Sequence, residues 1–218
     1  MSIFRQLAER PWLTPQYLSG DVEPVETVSP PKAKIGLWVF LAVVTMLFFL
    51  LIVAYAGRMA FEDWRPGPEL RLLWLNTVVL LACSIAMQWA AVSARRGNGA
   101  DAWSGFVAGG LLGVAFLLGQ LIAWLQLSGM GVFGVAIPSV AFFYLITGLH
   151  ALHIAGGLVA MSLTGAKWAR GADLATIRPT LELTTVYWHY LFGVWVVLFG
   201  LLFSGNNLGA ALAFCGIK

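Results

Sequence analysis

Charge is scarce in this sequence. Only 11% of its 218 residues are Asp, Glu, Lys or Arg, roughly half the share of an ordinary soluble domain, while 60% are hydrophobic. So little polar surface cannot cover so much apolar chain, which excludes a free-standing water-soluble domain. Cysteine is scarcer still. Cys83 and Cys215 are the only two, with no CxxC spacing, so the sequence holds no cysteine-built metal centre and no disulfide framework. A formal net charge of +3 without a basic stripe gives no reason to expect a nucleic-acid partner.

What is abundant is long apolar sequence. Runs of about 20 or more residues cover 34–57, 71–94, 103–127, 137–162 and 181–204, and at about 1.5 Å per residue each is long enough to cross a hydrocarbon core of about 30 Å. The expected fold is an all-α integral membrane protein, a bundle of five transmembrane helices spanning 34–204. Residues 1–33 carry Arg5, Glu9, Arg10, Asp21, Glu23, Glu26 and five prolines, without the apolar region or small-residue cleavage pattern of a signal peptide. They are expected to form an irregular cytoplasmic N-terminal segment, and residues 205–218 an outer C-terminal tail.

Orientation follows from the connecting segments. Lys and Arg number four before the first span, then three, two, none and three in the successive links, and one in the tail. Alternate segments therefore divide nine against four. The positive-inside rule puts the N-terminus and the 163–180 link in the cytoplasm and the C-terminus outside, with Arg58, Arg65 and Arg71 as the outer minority.

Packing signals are present but name no function. Gly105, Gly109 and Gly113 recur every four residues on the third span, and Thr147, Ala151 and Ala155 repeat the spacing on the fourth, so each forms a small-residue stripe where another helix can approach. Trp38, Trp103 and Trp168 lie near span ends, as in a headgroup belt. Cys83 falls mid-span and reads as a buried free thiol.

Polar residues inside the spans carry more information, because hydrocarbon penalises them unless they find partners. They are Asn76, Gln88, Gln120, His150, His153, Glu182 and His189, which include all three histidines of the chain. His150 and His153 lie one turn apart on the fourth span. Glu182 precedes His189 by two turns, so the two share a face of the fifth. Three readings compete. His153 and His189 as axial ligands from facing helices would make a b-type cytochrome. A metal or proton-relay site would need more intramembrane carboxylate than Glu182 supplies. The third reading is structural: these side chains hydrogen-bond across helices and to lipid headgroups or water.

Several stretches resemble a known family in order along the chain. PSVAFFYLITGLHALHIAGGL, from Pro138 to Leu158, is similar to the signature of subunit III of haem-copper terminal oxidases, with a Thr-Gly-x-His-x-x-His pattern at Thr147, Gly148, His150 and His153. LELTTVYWHYLFGVW resembles the family's last helix, in which a Glu, here Glu182, precedes a Tyr-Trp-His cluster at Tyr187, Trp188 and His189. LNTVVLLACSIAMQWA, opening on Leu75, Asn76 and Thr77, resembles a third helix, and IGLWVFLAVVTMLFF and LGVAFLLGQ, ending at Gln120, resemble two more. The matches cover roughly 35–204. Lacking the first two helices of the seven-helix form, the chain resembles the short five-helix members, in which those helices are absent or joined to the catalytic subunit.

Departures from the family pattern all remove acid. Val44 stands where a buried Glu is common, Phe192 where an Asp follows the Tyr-Trp-His cluster, and Ala123 where a Glu follows the Gln.

The resemblance implies an accessory subunit of an oxygen-reducing, proton-translocating complex. It implies that no haem or copper is bound in this chain, these being held in partner subunits. It implies packing on subunit I beside subunit II, bound phospholipid, and support for sustained proton uptake, with cytochrome c as the commonest electron donor and quinol oxidases and nitric oxide reductases as related settings. It also implies a bacterial cytoplasmic (inner) membrane. Asn76, Gln120, His150, His153, Glu182, Tyr187, Trp188 and His189 are the expected lipid-binding or interhelical polar cluster, with no catalytic residue. The residues agree in one respect: three histidines and no cysteine cluster are too few for the several haem and copper ligands of an oxygen-reducing site. A small transporter would instead show internal symmetry or broken helices with charged midplane residues.

Overall fold

The computed structural model describes residues 32–61, 64–65, 71–129 and 137–204. The chain divides into two compact units, 1–31 and 32–218, and every described residue lies in the second. The N-terminal segment up to Pro31 and the tail from residue 205 lie outside the described residues. The described residues form five helices: α1 Lys32–Arg58, α2 Leu72–Arg95, α3 Gly99–Gly129, α4 Pro138–Ala169 and α5 Leu174–Ser204. All five are long and apolar enough to cross a membrane.

The links explain where the helices stop. After α2, Gly97 takes a left-handed backbone at φ 77°, a conformation that costs glycine nothing. Asn98 then opens α3, accepting from the Asp101 backbone N–H at 3.2 Å and donating its own amide to the Asp101 carboxylate at 2.7 Å. This reciprocal cap satisfies a backbone donor that the first turn would otherwise leave free. Gly171, at φ 94°, ends α4 in the same way. Pro138 is the first residue of α4, where a missing N–H costs nothing. Pro179 sits inside α5, so that helix begins about two turns before its apolar run and carries a missing backbone donor near its start.

Helices α2, α3, α4 and α5 form a ring in which each packs against two sequential or terminal neighbours, and α1 lies outside it against α4 and α5. The ring encloses Leu80, Met87, Phe116, Ile154, Trp188, Leu191 and Trp195. Three contacts set its spacing. A β-carbon at Gly105 would lie 3.0 Å from the Ala86 carbonyl and the Ala90 nitrogen, so α2 and α3 touch backbone to backbone there. At Gly113 it would lie 2.6 Å from the Trp188 ring, and at Gly157 2.8 Å from the Tyr187 ring. The α3 stripe is thus shared: its first two glycines admit α2, and its third admits an indole from α5. A second, smaller cluster of Val44, Phe48, Tyr55, Ile146 and Leu198 fastens α1 to α4 and α5.

Candidate functional site: an interhelical polar network beside an apolar groove

The polar side chains divide into a seam, a core layer and a groove. The seam joins antiparallel α2 and α5. From one end, Arg95 Nε donates to Glu182 Oε1 at 2.8 Å, with Arg178 on the same oxygen at 3.3 Å. Thr185 then shares its hydroxyl proton between the Leu181 carbonyl of its own helix at 2.9 Å and the Met87 carbonyl of α2 at 3.2 Å. His189 follows, bonded through Nδ1 to Ser84 Oγ and through Nε2 to Gln88 Oε1 at 2.9 Å. With Gln88 Oε1 as acceptor, Nε2 carries the ring proton and Nδ1 accepts from the Ser84 hydroxyl. Last, Trp195 donates its indole N–H to Thr77 Oγ1 at 3.0 Å. Glu182 and His189 face α2 together, as a two-turn separation requires.

Other bonds tie the remaining helices. Trp124 of α3 donates to Thr147 Oγ1 of α4 at 3.0 Å, and the Tyr144 hydroxyl returns a bond to the Trp124 carbonyl at 3.1 Å. Thr45 gives its proton to the Leu41 carbonyl at 2.7 Å, so Tyr190 is the donor in the 2.9 Å Thr45–Tyr190 contact that holds α1 to α5. The Cys83 thiol donates to the Gly109 carbonyl at 3.1 Å, as a buried free cysteine.

The core layer is Asn76, Gln120 and His150. All three are buried, and the Asn76 Nδ2, both Gln120 amide atoms and both His150 nitrogens have no hydrogen-bond partner among the described residues. Aromatic rings enclose His150: Trp195 at 5.2 Å, Phe116 at 5.8 Å and Phe48 at 6.2 Å between centroids. Asn76 lies against Gly119, where any β-carbon would collide with its amide. Trp188 is buried in the same interior, filling the space left by Gly113.

The groove runs between α1 and the α4–α5 pair. One part, of about 400 Å³, is lined by Ala33, Leu37, Ala160, Thr180 and Thr184, and an adjoining part, of about 490 Å³, by Leu152, His153 and Val159, with Phe40, Gly156 and Tyr187 common to both. His153 Nδ1 donates to the Leu149 carbonyl at 2.7 Å, and Tyr187 donates to the His153 carbonyl at 2.8 Å. His153 thus turns toward the groove and α1, with Phe48 at 5.6 Å and Phe40 at 6.1 Å, whereas His189 turns to α2. The two are not brought to one axis, which removes the geometry a shared haem iron would require. Among the described residues no group of three or more His, Cys, Asp or Glu is placed to hold a metal ion.

Residue pattern alone did not single out Arg95, Arg178, Ser84, Thr185, Tyr190 or Trp195. Ser, Thr and Trp are too common in membrane helices to stand out; Arg178 stands four residues before Glu182 on the same helix, a spacing the sequence does show, whereas Arg95 becomes its partner only when α2 and α5 are laid antiparallel.

The family model for cytochrome c oxidase subunit III matches residues 32–205. The chain belongs to that family. It is 33% identical over 183 residues to a probable cytochrome c oxidase subunit 3 of Mycobacterium leprae, covering 80% of this chain and 88% of the relative. The corresponding protein of Mycobacterium tuberculosis H37Rv is 34% identical over 184 residues with the same coverage, and the cytochrome c oxidase subunit 3 of Synechocystis 31% identical over 182, covering 80% of this chain and 76% of the relative. As a subunit III chain with five long apolar helices, it is a multi-pass membrane protein. The positions where acids are common in this family are packed as apolar sites here. Val44 sits in the α1 cluster, Ala123 is fully buried, and Phe192 packs against the main core.

Proposed function

We propose that this chain is the accessory, non-catalytic subunit III of a respiratory haem-copper oxidase in the bacterial inner membrane, with cytochrome c as the donor. The observation that carries the reading is a family match across the whole five-helix bundle, joined to a polar network spent on holding helices together. Haem and copper belong to the partner subunits. Of the acids among the described residues, Asp101, Asp173 and Glu182 all lie toward the same end of the bundle, and Glu182 is neutralised by two arginines, so the spans offer no carboxylate chain along which a proton would move. Asn76, Gln120, His150, His153, Glu182, Tyr187, Trp188 and His189 act in packing and lipid contact.

The groove between α1, α4 and α5 suits phospholipid acyl chains, its walls being almost wholly apolar. Lys32 and Lys34 at the start of α1, beside groove-lining Ala33, supply cations for the phosphate. Lipid held there keeps subunit I in a packing that sustains proton uptake over many turnovers. The charge division between links puts the N-terminus and the Arg95, Arg96, Lys167 and Arg170 end in the cytoplasm.

Purification of the chain from its native membrane in mild detergent tests the reading. A haem-copper subunit I and a cytochrome c-reactive subunit II should accompany it. A preparation containing no haem-copper subunit refutes the assignment, and one that oxidises quinol but not cytochrome c refutes the donor.

A further inference from the structure

Polar groups within the apolar length of a membrane helix normally turn inward, and Asn76, Gln120, Thr147 and His150 do so here. Gln88 and His189 do not. Both are exposed on the outer surface of the α2–α5 seam. Counted from the ionic end that the Arg95–Glu182 pair marks, Gln88 and His189 each lie seven residues further in, about 10 Å along their helices, and Ser84 eleven residues from Arg95, so the trio is inside the apolar part of the bundle. Apolar side chains surround it on the same exterior: Leu81, Ile85, Trp89 and Val186 are all exposed.

The bonds within the trio have a direction. Ser84 donates to Nδ1 and Nε2–H donates to Gln88 Oε1, so the chain of donors ends on the Gln88 amide nitrogen. Among the described residues that nitrogen has no acceptor. Exposed hydroxyls elsewhere on the bundle, at Thr45, Ser104 and Ser162, give their proton to a carbonyl of their own helix, three or four residues back, and need nothing further. A carboxamide donor facing lipid tails has no such recourse, and hydrocarbon offers it no acceptor.

We infer that the α2–α5 face is a protein interface in the membrane, occupied by a transmembrane helix of another oxidase subunit that presents a hydrogen-bond acceptor (hydroxyl, carboxylate or freed backbone carbonyl) to Gln88, two turns inside the Arg95–Glu182 pair. This rests on the subunit III reading and adds to it which face docks and what chemistry the partner brings. Lipid is the wrong occupant because its acceptors lie at the headgroups, about 10 Å along the helix from Gln88, whose side chain leans toward the α2 N-terminus and so away from that end. The flanking apolar residues supply the packing around the polar contact.

The test uses the whole complex. A photo-crosslinking residue is placed at Ile85 or Val186 on this face, and at Leu118 on α3 as a control. The expected result is a crosslink from 85 and 186 to another oxidase subunit. Crosslinks only to lipid or to a second copy of this chain, with subunit crosslinks from 118 instead, overturn the interface while leaving the subunit III reading intact. Absence of any haem-copper subunit from the preparation overturns that reading itself.

A second measurement has opposite signs under the two environments. Gln88→Leu removes a polar group from an exterior position, so against lipid the isolated chain should be unchanged or more stable and its retention unaffected. Against an acceptor-bearing helix, retention in the detergent-purified complex should fall about three- to thirty-fold, with the isolated chain still folded. Full retention of Gln88→Leu and His189→Leu overturns the proposal.

Discussion

Trp195 on α5 gives its indole proton to Thr77 on α2, and Thr77 passes its own to the Leu73 carbonyl one turn back. Trp124 and Thr147 repeat the arrangement between α3 and α4, ending on the Phe143 carbonyl. In each pair the threonine both accepts and donates, a role valine cannot fill though its shape is nearly the same. Thr77→Val and Thr147→Val should each cost about 1–2 kcal/mol, because a largely buried indole N–H loses its acceptor. Thr164, which bonds only to the Ala160 carbonyl of its own helix, is the control, and Thr164→Val should be close to neutral. Equilibrium unfolding of the purified chain in mixed micelles reads all three.

Glycine substitutions should separate by what faces them. Gly105→Ala drives a methyl group against α2 backbone, which cannot swing aside, and should cost about 1–3 kcal/mol. At Gly110 a new β-carbon meets only the Met161 terminal methyl at an ordinary 3.5 Å, so Gly110→Ala should be neutral or slightly stabilising. Thermal melts of the two variants, side by side, check the difference.

How much of this was legible in the sequence alone depends on the kind of feature. The five spans were, since an apolar run of 20 residues has few other fates. So was the shared face of Glu182 and His189, which helical periodicity dictates. The companions of that face were not, because Arg95 and Ser84 are about a hundred residues away in sequence and nothing local marks them. Periodicity also could not say that His153 turns to the groove while His189 turns to α2. That depends on how α5 is rotated in the ring, which Gly113 and Gly157 fix by admitting Trp188 and Tyr187.

Filling the groove should displace what it holds. Gly156→Phe introduces a ring into space where a β-carbon meets nothing within 4 Å, so the fold should tolerate it. Mass spectrometry of lipid retained by the complex should show loss of phospholipid, with a near-normal initial turnover that decays faster over repeated cycles. Unchanged lipid content would refute the groove as its seat.

Subunit role predicts a blank spectrum. The chain purified alone should show no haem Soret band, no stoichiometric copper and no oxygen consumption. A stoichiometric low-spin haem lost in His153→Ala or His189→Ala would establish a cytochrome instead.

Replacing seam residues should affect assembly before chemistry. In His189→Ala and Glu182→Gln complexes, subunit III content should fall or activity decay faster, at a cost of about 0.5–2 kcal/mol in packing, with the initial rate nearly intact. A proton-transfer role would instead slow a step by about a hundredfold in fully assembled complexes. Sidedness is checked separately with Cys215 replaced: a cysteine near Lys167 should be labelled only in permeabilised cells, and one near Asn206 in intact cells.

The short turns at Gly97 and Gly171 bear on how the protein enters the membrane. Each closes a hairpin, α2 with α3 and α4 with α5, and both turns lie at the end where α1 begins. In the proposed orientation, with the N-terminus in the cytoplasm, a newly made hairpin of this kind partitions into lipid as a unit whose turn need not be translocated, so Arg95, Arg96, Lys167 and Arg170 stay on the side on which they were synthesised. Only two links have to cross. The one between α3 and α4 contains no Lys or Arg, whereas the one between α1 and α2 carries Arg58, Arg65 and Arg71. In that orientation those three cations are the largest charge insertion must carry across, and they follow α1, which packs on the outside of the ring against α4 and α5.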